Sequence, residues 1–312
     1  MNPLAWLGRH SSIALASLVV IGIAVPQLGV WLKHYVEEAI ILLLFVAFLR
    51  LDLNALRIHF KNPKWVIAAT VWTMFIVPMG LIVLFKLLNV EDRFPELHPA
   101  LVFQASASPL MAAPAFAMLL GLDATLVLIT LVLSTALTPL LAPVYASVAN
   151  VELSITPMML GIKLLLILIS TAFAGLFLQW LIGIKRLAQF DKELDGINVI
   201  VLLVFICAIL GNIRTPLLNS PALVIMLTLV SFVLFFTLWS ITYLVFKRAD
   251  QERALAIALL VSNRNMGLII AATASALPEM TWMYFAVAQL PIYFCPQILK
   301  PITTAIRNST NR

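Results

Sequence analysis

LAIALLVSNRNMGLIIAATAS, residues 255–275, is the stretch whose reading decides the fold. It is apolar for long enough to enter a bilayer, whose core of about 30 Å takes roughly 20 residues of helix. Its middle breaks that pattern with Ser262, Asn263, Arg264, Asn265 and Gly267. Arg264 lies about eleven residues into its span, near mid-membrane, where insertion scales charge about 2.5–3.5 kcal/mol for an arginine. The side chain stays protonated. It must therefore meet a wet cavity, a carboxylate or carbonyls freed at a helix break. Two readings stand: a fixed ion pair that locks two helices, or a cation that attracts an anionic substrate or stands in for a bound cation.

The rest of the chain supports the membrane setting. It has 312 residues, 62% hydrophobic and 11% charged, with a mean hydropathy of +1.06. A soluble domain carries about 25% charged residues. Apolar runs predict ten helical spans, at about 12–31, 35–49, 64–88, 98–121, 124–147, 155–182, 196–213, 221–246, 253–276 and 280–305. The short alternating segments of about ten residues that make a transmembrane barrel are not visible.

The net charge of +6 does not point to nucleic acid, because the cations are sorted by side. Assigning Lys and Arg to alternate sides of the spans puts Arg9, Arg50, Arg57, Lys61, Lys64, Lys185, Arg186, Lys192, Lys247, Arg248, Arg253, Lys300, Arg307 and Arg312 on one side. The other receives Lys33, Lys86, Arg93 and Arg214, while Lys163 and Arg264 lie inside spans. The positive-inside rule then predicts both termini in the cytoplasm of an inner-membrane protein, and an even number of spans requires the termini to share a side. No cleavable signal pattern is seen, so the first span reads as a retained helix. Cys207 and Cys295 sit in apolar spans and read as buried thiols, with neither a disulfide nor a metal site expected.

A second interrupted span precedes the first. LVFQASASPLMAAPAFAMLLG (101–121) carries Gln104, Ser106, Ser108, Pro109 and Pro114. Each interrupted span is followed by one with spaced prolines, TPLLAP (138–143) and PIYFCPQILKP (291–301). The interruptions lie about 155 residues apart, and five spans per half demand an inverted repeat, the pattern of secondary transporters with discontinuous helices. Repeat 1 covers about 12–147 and repeat 2 about 155–305 of one transmembrane domain. A plain proline kink is the alternative for either span. The polar segments KNPK (61–64), NVEDRFPELH (89–98) and KRLAQFDKELD (185–195) read as loops or interfacial turns.

The candidate substrate- and ion-binding residues are Arg264, Asn263, Asn265, Ser262, Ser108, Ser106, Gln104 and Gln289. Their amides and hydroxyls serve backbone groups freed by an unwound turn, a substrate, or plain contact between helices. Glu37, Glu38, Asp123 and Glu279 read as interfacial, with Asp123 the one to watch for proton coupling. Lys163 reads as a snorkelling side chain, and Trp72 and Trp239 as packing or interfacial residues. No cofactor, metal or catalytic residue is expected. One enzyme reading remains: Asp191 and Asp195 in FDKELD (190–195) loosely resemble the metal-diphosphate site of membrane prenyltransferases, but no second acidic cluster accompanies them.

The strings ALAIALLVSNRNMGL (254–268) and LVLSTALTPLLAP (131–143), with ten spans and two interrupted helices, resemble the bile acid:sodium symporter superfamily. The likeness runs over nearly the whole chain and is most specific at 98–143 and 253–301. It implies a panel of spans 1, 2, 6 and 7, a core of spans 3–5 and 8–10, and a crossing of spans 4 and 9 at their breaks. It implies a small organic anion as substrate and sodium as coupling ion. The ninth-span motif of that family carries Glu, then Gln-Asn, and the Glu and Gln help to bind sodium. Those two positions are Leu260 and Arg264 here. The fourth-span Ser-Asn pair falls on Ala113 and Pro114, and two fifth-span hydroxyl ligands fall on Val127 and Leu131, beside Thr130. Losing the carboxylate and gaining a permanent cation argues against the usual sodium sites. The related arsenite exporters use a fourth-span Cys, which is absent here.

Overall fold

The computed structural model describes residues 26–51, 63–152, 154–210, 214–273 and 277–310. Most of the expected first span and Arg9, Arg57, Lys61 and Arg312 lie outside the described residues. In chain order the helices are α1 (Pro26–Leu32), α2 (Val36–Leu49), α3 (Pro63–Val71), α4 (Val77–Leu87), α5 (Val90–Arg93), α6 (His98–Ser106), α7 (Ala113–Leu119), α8 (Ala124–Val148) and α9 (Pro157–Ile182). They continue with α10 (Ile184–Leu187), α11 (Asp191–Leu210), α12 (Arg214–Asn219), α13 (Pro221–Phe246), α14 (Gln251–Ser262), α15 (Gly267–Thr273), α16 (Glu279–Val287) and α17 (Gln289–Thr310). A π-helical turn, Trp72–Ile76, joins α3 to α4.

Among the described residues no strand forms. Four stretches, Pro63–Leu87, Ala124–Val148, Pro157–Ile182 and Pro221–Phe246, are long and apolar enough to cross a bilayer. Their outward faces are oily: Phe173 and Trp180 on α9 are 70% and 75% exposed. A soluble protein does not offer aromatic ladders of this kind to water. The chain is an all-helical, multi-pass membrane protein.

The chain divides into two compact units. One comprises Met1–Asp52, Ile162–Met226 and Gly267–Ala286, the other Leu53–Gly161, Leu227–Met266 and Val287–Arg312. In the first, α2 packs on α11, and Val46, Leu49, Leu187 and Leu194 form a small core. Gly175 permits α9 to press on α2, since a Cβ there would sit 2.8 Å from Phe48 Cβ and 2.9 Å from Leu49 N. Gln179 Nε2 donates to the carbonyls of Leu49 and Leu51, both at 2.9 Å, and so closes the end of α2.

The segment 185–195 departs from its expected loop form. It is helical almost throughout, with a 3₁₀ turn at Ala188–Phe190 between α10 and α11. Asp191 and Glu193 occupy the first turn of α11, where carboxylates suit the positive end of the helix dipole. Charged residues that read as a solvated loop are a helix start.

In the second unit α8 packs on α3, on the π turn, on α6 and on α14. Asp123 caps α8 by accepting from Thr125 N at 3.2 Å and Leu126 N at 2.9 Å. Its carboxylate thus has a structural task at the helix start. Pro139 and Pro143 lie inside α8, and Pro296 and Pro301 inside α17, without ending either helix.

Candidate functional site

The site is built where two helices stop. α6 ends at Ser106, and Ala107 is extended at φ −65°, ψ 149°. Pro109 explains the stop: it has no N–H to continue the ladder, and it pushes the preceding residue out of the helical region. Pro114 is not part of the disruption. It sits in the first turn of α7, where a missing N–H costs nothing. α14 ends at Ser262, and Asn263 is extended at φ −103°, ψ 100°.

The two extended segments pair antiparallel, with Pro109 opposite Arg264. Asn265 N donates to Ser108 O at 2.7 Å and Leu110 N donates to Asn263 O at 2.9 Å. Pro109 and Arg264 form the pair between those bonds, the register position where a proline's missing donor is not called upon. Each break therefore satisfies backbone groups that the other has freed.

Arg264 is 1% exposed. Its Nε donates to Val261 O at 2.9 Å, and its Nη1 donates to Ala107 O at 2.9 Å and to Thr73 O at 3.1 Å. No carboxylate is among these partners. Val261 lies in the last turn of α14 and Ala107 just beyond α6, so the guanidinium sits at two negative helix ends. The fixed ion pair is thus not how this arginine is held: main-chain oxygens hold it. Charge-assisted bonds of this kind are each worth about 1.5–3 kcal/mol. Nη2 is buried and has no partner.

Thr73 O is free to accept for a reason written five residues on. Pro78 cannot donate to Met74, and the helix responds with the π turn, in which Val77 N bonds Trp72 O. Two carbonyls are left over. Arg264 takes Thr73 O, and the Tyr145 hydroxyl donates to Met74 O at 2.6 Å. Pro78, Thr73, Met74 and Tyr145 were not among the residues expected from sequence; a proline in the middle of an apolar span was the available signal.

The expected site residues fall into three groups. Ser108, Asn263, Arg264 and Asn265 meet at the crossing. Ser106 Oγ donates to Phe103 O at 3.3 Å and Ser262 Oγ to Ala258 O at 2.9 Å, so both serve their own helix ends. Gln104 is buried in α6, and Gln289, expected midway along a continuous span, opens α17 after a break at Ala288. Asn263 Nδ2 donates to Leu259 O at 2.8 Å and reaches Cys295 Sγ at 3.4 Å, while its Oδ1 has no partner.

Among the described residues, buried polar atoms without partners collect in this one unit: Arg264 Nη2, Asn263 Oδ1, the hydroxyls of Thr70, Thr73, Ser108, Thr130 and Ser134, and Trp239 Nε1. Thr130 and Ser134 are one turn apart on α8, on the helix that packs against α3 and the π turn carrying Thr70 and Thr73. Buried polar groups are ordinarily paired, so a cluster of unmet ones calls for an explanation, water or a ligand among them. Trp72 differs, with its indole N–H on Thr242 Oγ1 at 3.0 Å and its ring edge-on to Phe246, a packing role.

The carboxylates put forward for a diphosphate site are occupied otherwise. Arg50 Nη1 donates to Asp195 Oδ1 at 2.6 Å, and its Nη2 lies 3.5 Å from Asp191 Oδ1. Among the described residues no three His, Cys, Asp or Glu side chains gather to hold a metal. No family model and no curated protein matches this chain.

Proposed function

We propose that the protein is a secondary transporter that moves a small organic anion by alternating access. The observation that carries this reading is Arg264: a fully buried guanidinium, anchored by three carbonyls at the meeting of two broken helices, with Nη2 left unmet. A positive charge whose Nη2 hydrogens are unmet suits a carboxylate or sulfonate oxygen, which accepts a charge-assisted N–H bond there. The Ser108 hydroxyl on the facing segment is also buried without a partner.

The wider architecture belongs to the same reading. Ten spans form two inverted five-helix repeats in the inner membrane, with both termini cytoplasmic. A core of spans 3–5 and 8–10 carries the crossing and rocks against a panel of spans 1, 2, 6 and 7. The resemblance to bile acid:sodium symporters supports this, as do the two crossing breaks. Sodium coupling of the usual kind is not part of the proposal, because Leu260 and Arg264 stand where its ligands are expected.

The test is uptake into proteoliposomes of single radiolabelled anions (lactate, pyruvate, taurocholate), with Arg264→Ala beside the native protein. At least one anion enters in an Arg264-dependent, saturable manner, and neutral analogues do not. Equal entry of anions and neutral analogues, or entry unaffected by Arg264→Ala, refutes the reading.

A further inference from the structure

Three main-chain oxygens converge on one cation. Val261 O, Ala107 O and Thr73 O come from three separate segments of one unit, and each has been freed from its helix ladder by a break or a π turn. Inward-facing carbonyls in a desolvated interior are the ligand set that a dehydrated alkali cation takes. Two of the three lie at helix C-termini, where the dipole adds negative potential. The cation they hold is not a solute. It is the guanidinium, tied to the backbone through its own side chain.

We propose that Arg264 is the resident cation of the crossing, so that the organic anion crosses with no co-transported cation and carries net negative charge. This rests on the transport reading above and adds to it the coupling, which that reading leaves open.

Two further observations support it. A second cation entering the same carbonyl cluster meets a fixed like charge that cannot titrate away. A proton-coupled cycle, for its part, needs a group in the site that changes charge. Of the acidic residues only Asp52 lies outside the described ones, and none of the others is buried. Besides Arg264, the buried ionisable side chains among the described residues of this unit are His98, Tyr145 and Cys295, and His59 lies outside them. The Tyr145 hydroxyl is committed to Met74 O, and Cys295 Sγ meets Asn263 Nδ2. His98 opens α6, at the opposite end of that helix from the break. A monovalent anion on Nη2 makes the loaded site neutral, and the empty site returns with its charge. One elementary charge moves per cycle.

The experiment uses the native protein in proteoliposomes with the radiolabelled anion that shows the largest Arg264-dependent flux. Sodium is replaced on both sides by N-methylglucamine, pH is equal across the membrane, and a potassium–valinomycin potential is imposed. A tenfold potassium gradient then accumulates a monovalent anion about tenfold, and reversing the gradient reverses the flux. His98→Gln keeps that voltage dependence. Arg264→Ala loses uptake in N-methylglucamine and recovers it with millimolar guanidinium or sodium, because the vacated carbonyls accept a free cation. The inference is overturned if the native protein needs sodium, or if a sodium or proton gradient drives accumulation at zero potential; anion transport itself then still stands. If no anion crosses under any gradient, the transport reading fails and takes this inference with it. Should Arg264→Ala not accumulate in the membrane, the native measurement decides alone.

Discussion

Arg50 and Arg264 carry the same side chain and solve its charge in opposite ways. Arg50 lies at the end of α2, about a third exposed, and faces two carboxylates at the start of α11. Arg264 is buried and faces none, held instead by three carbonyls that broken helices release. Pairs of the first kind are interchangeable and worth about 0–1 kcal/mol. The second kind has no substitute, because its partners are main-chain atoms fixed by Pro109, Pro78 and the end of α14. An ion pair spends the cation's charge on a neighbour. Carbonyl dipoles hold the cation and leave its net charge in place.

The largest effect that separates the two follows from Arg264→Gln. The change strips at least two carbonyls of donors, each left unmet at a cost of about 1–3 kcal/mol, so a loss of about 2–5 kcal/mol is expected. Thermal unfolding in detergent measures it, and uptake falls with it. A loss under 1 kcal/mol would place Arg264 in the same class as Arg50 and erase the contrast.

Pro78→Ala comes next and tests how the carbonyls are supplied. The new N–H reclaims Met74 O, the π turn regularises, and Thr73 O returns to its own helix. Arg264 loses one charge-assisted bond, worth about 1.5–3 kcal/mol, so uptake falls about tenfold or more. Helical propensity rises at the same position. The informative result is therefore a split, with uptake lower and the thermal midpoint kept or raised. A fall in both by the same proportion would mean that Pro78 acts through packing alone.

Those two variants also mark what the sequence made legible. The breaks at 107–112 and 263–266 could be read, because proline and the Ser-Asn-Arg-Asn cluster act on the backbone through their own chemistry. The buried cation could be read as well. Its partners could not, since a carbonyl has the same chemistry whatever side chain it carries, and Val261, Ala107 and Thr73 share no motif. Pro78 was visible, but prolines are frequent in membrane helices; Pro139 and Pro143 lie in α8 without breaking it. The 185–195 segment was misjudged because its charges resemble a loop until Arg50, about 140 residues earlier, supplies their partner. Gln104 and Gln289 were chosen for polarity and position, and the crossing is made by Ser108, Asn263, Arg264 and Asn265.

Thr130→Val has a smaller effect and an unusual sign. The Thr130 hydroxyl is buried without a partner, and a dry, unmet hydroxyl costs about 1–3 kcal/mol. Valine keeps the shape and removes that cost, so the unloaded protein becomes more stable by about 1 kcal/mol. Uptake falls at the same time if the hydroxyl serves the anion or its water. Stabilisation with unchanged uptake assigns Thr130 to packing and narrows the polar site to Ser108, Asn263 and Arg264.

Arg50→Gln sets the lower end of the scale. Both carboxylates stay partly solvated when the guanidinium goes, so nothing is left stranded, and Gln179 still closes the end of α2 through Leu49 O and Leu51 O. The expected loss is under about 1 kcal/mol. It shrinks further as salt rises from 0.1 to 1 M, because the screening length drops from about 10 Å to about 3 Å. The Arg264→Gln loss does not respond to salt, since its carbonyls are out of reach of solvent ions. Unfolding midpoints for both variants at the two salt concentrations make the comparison a two-by-two measurement. If the Arg50 variant proves as costly as the Arg264 variant, and equally insensitive to salt, then exposure is not what distinguishes these two arginines.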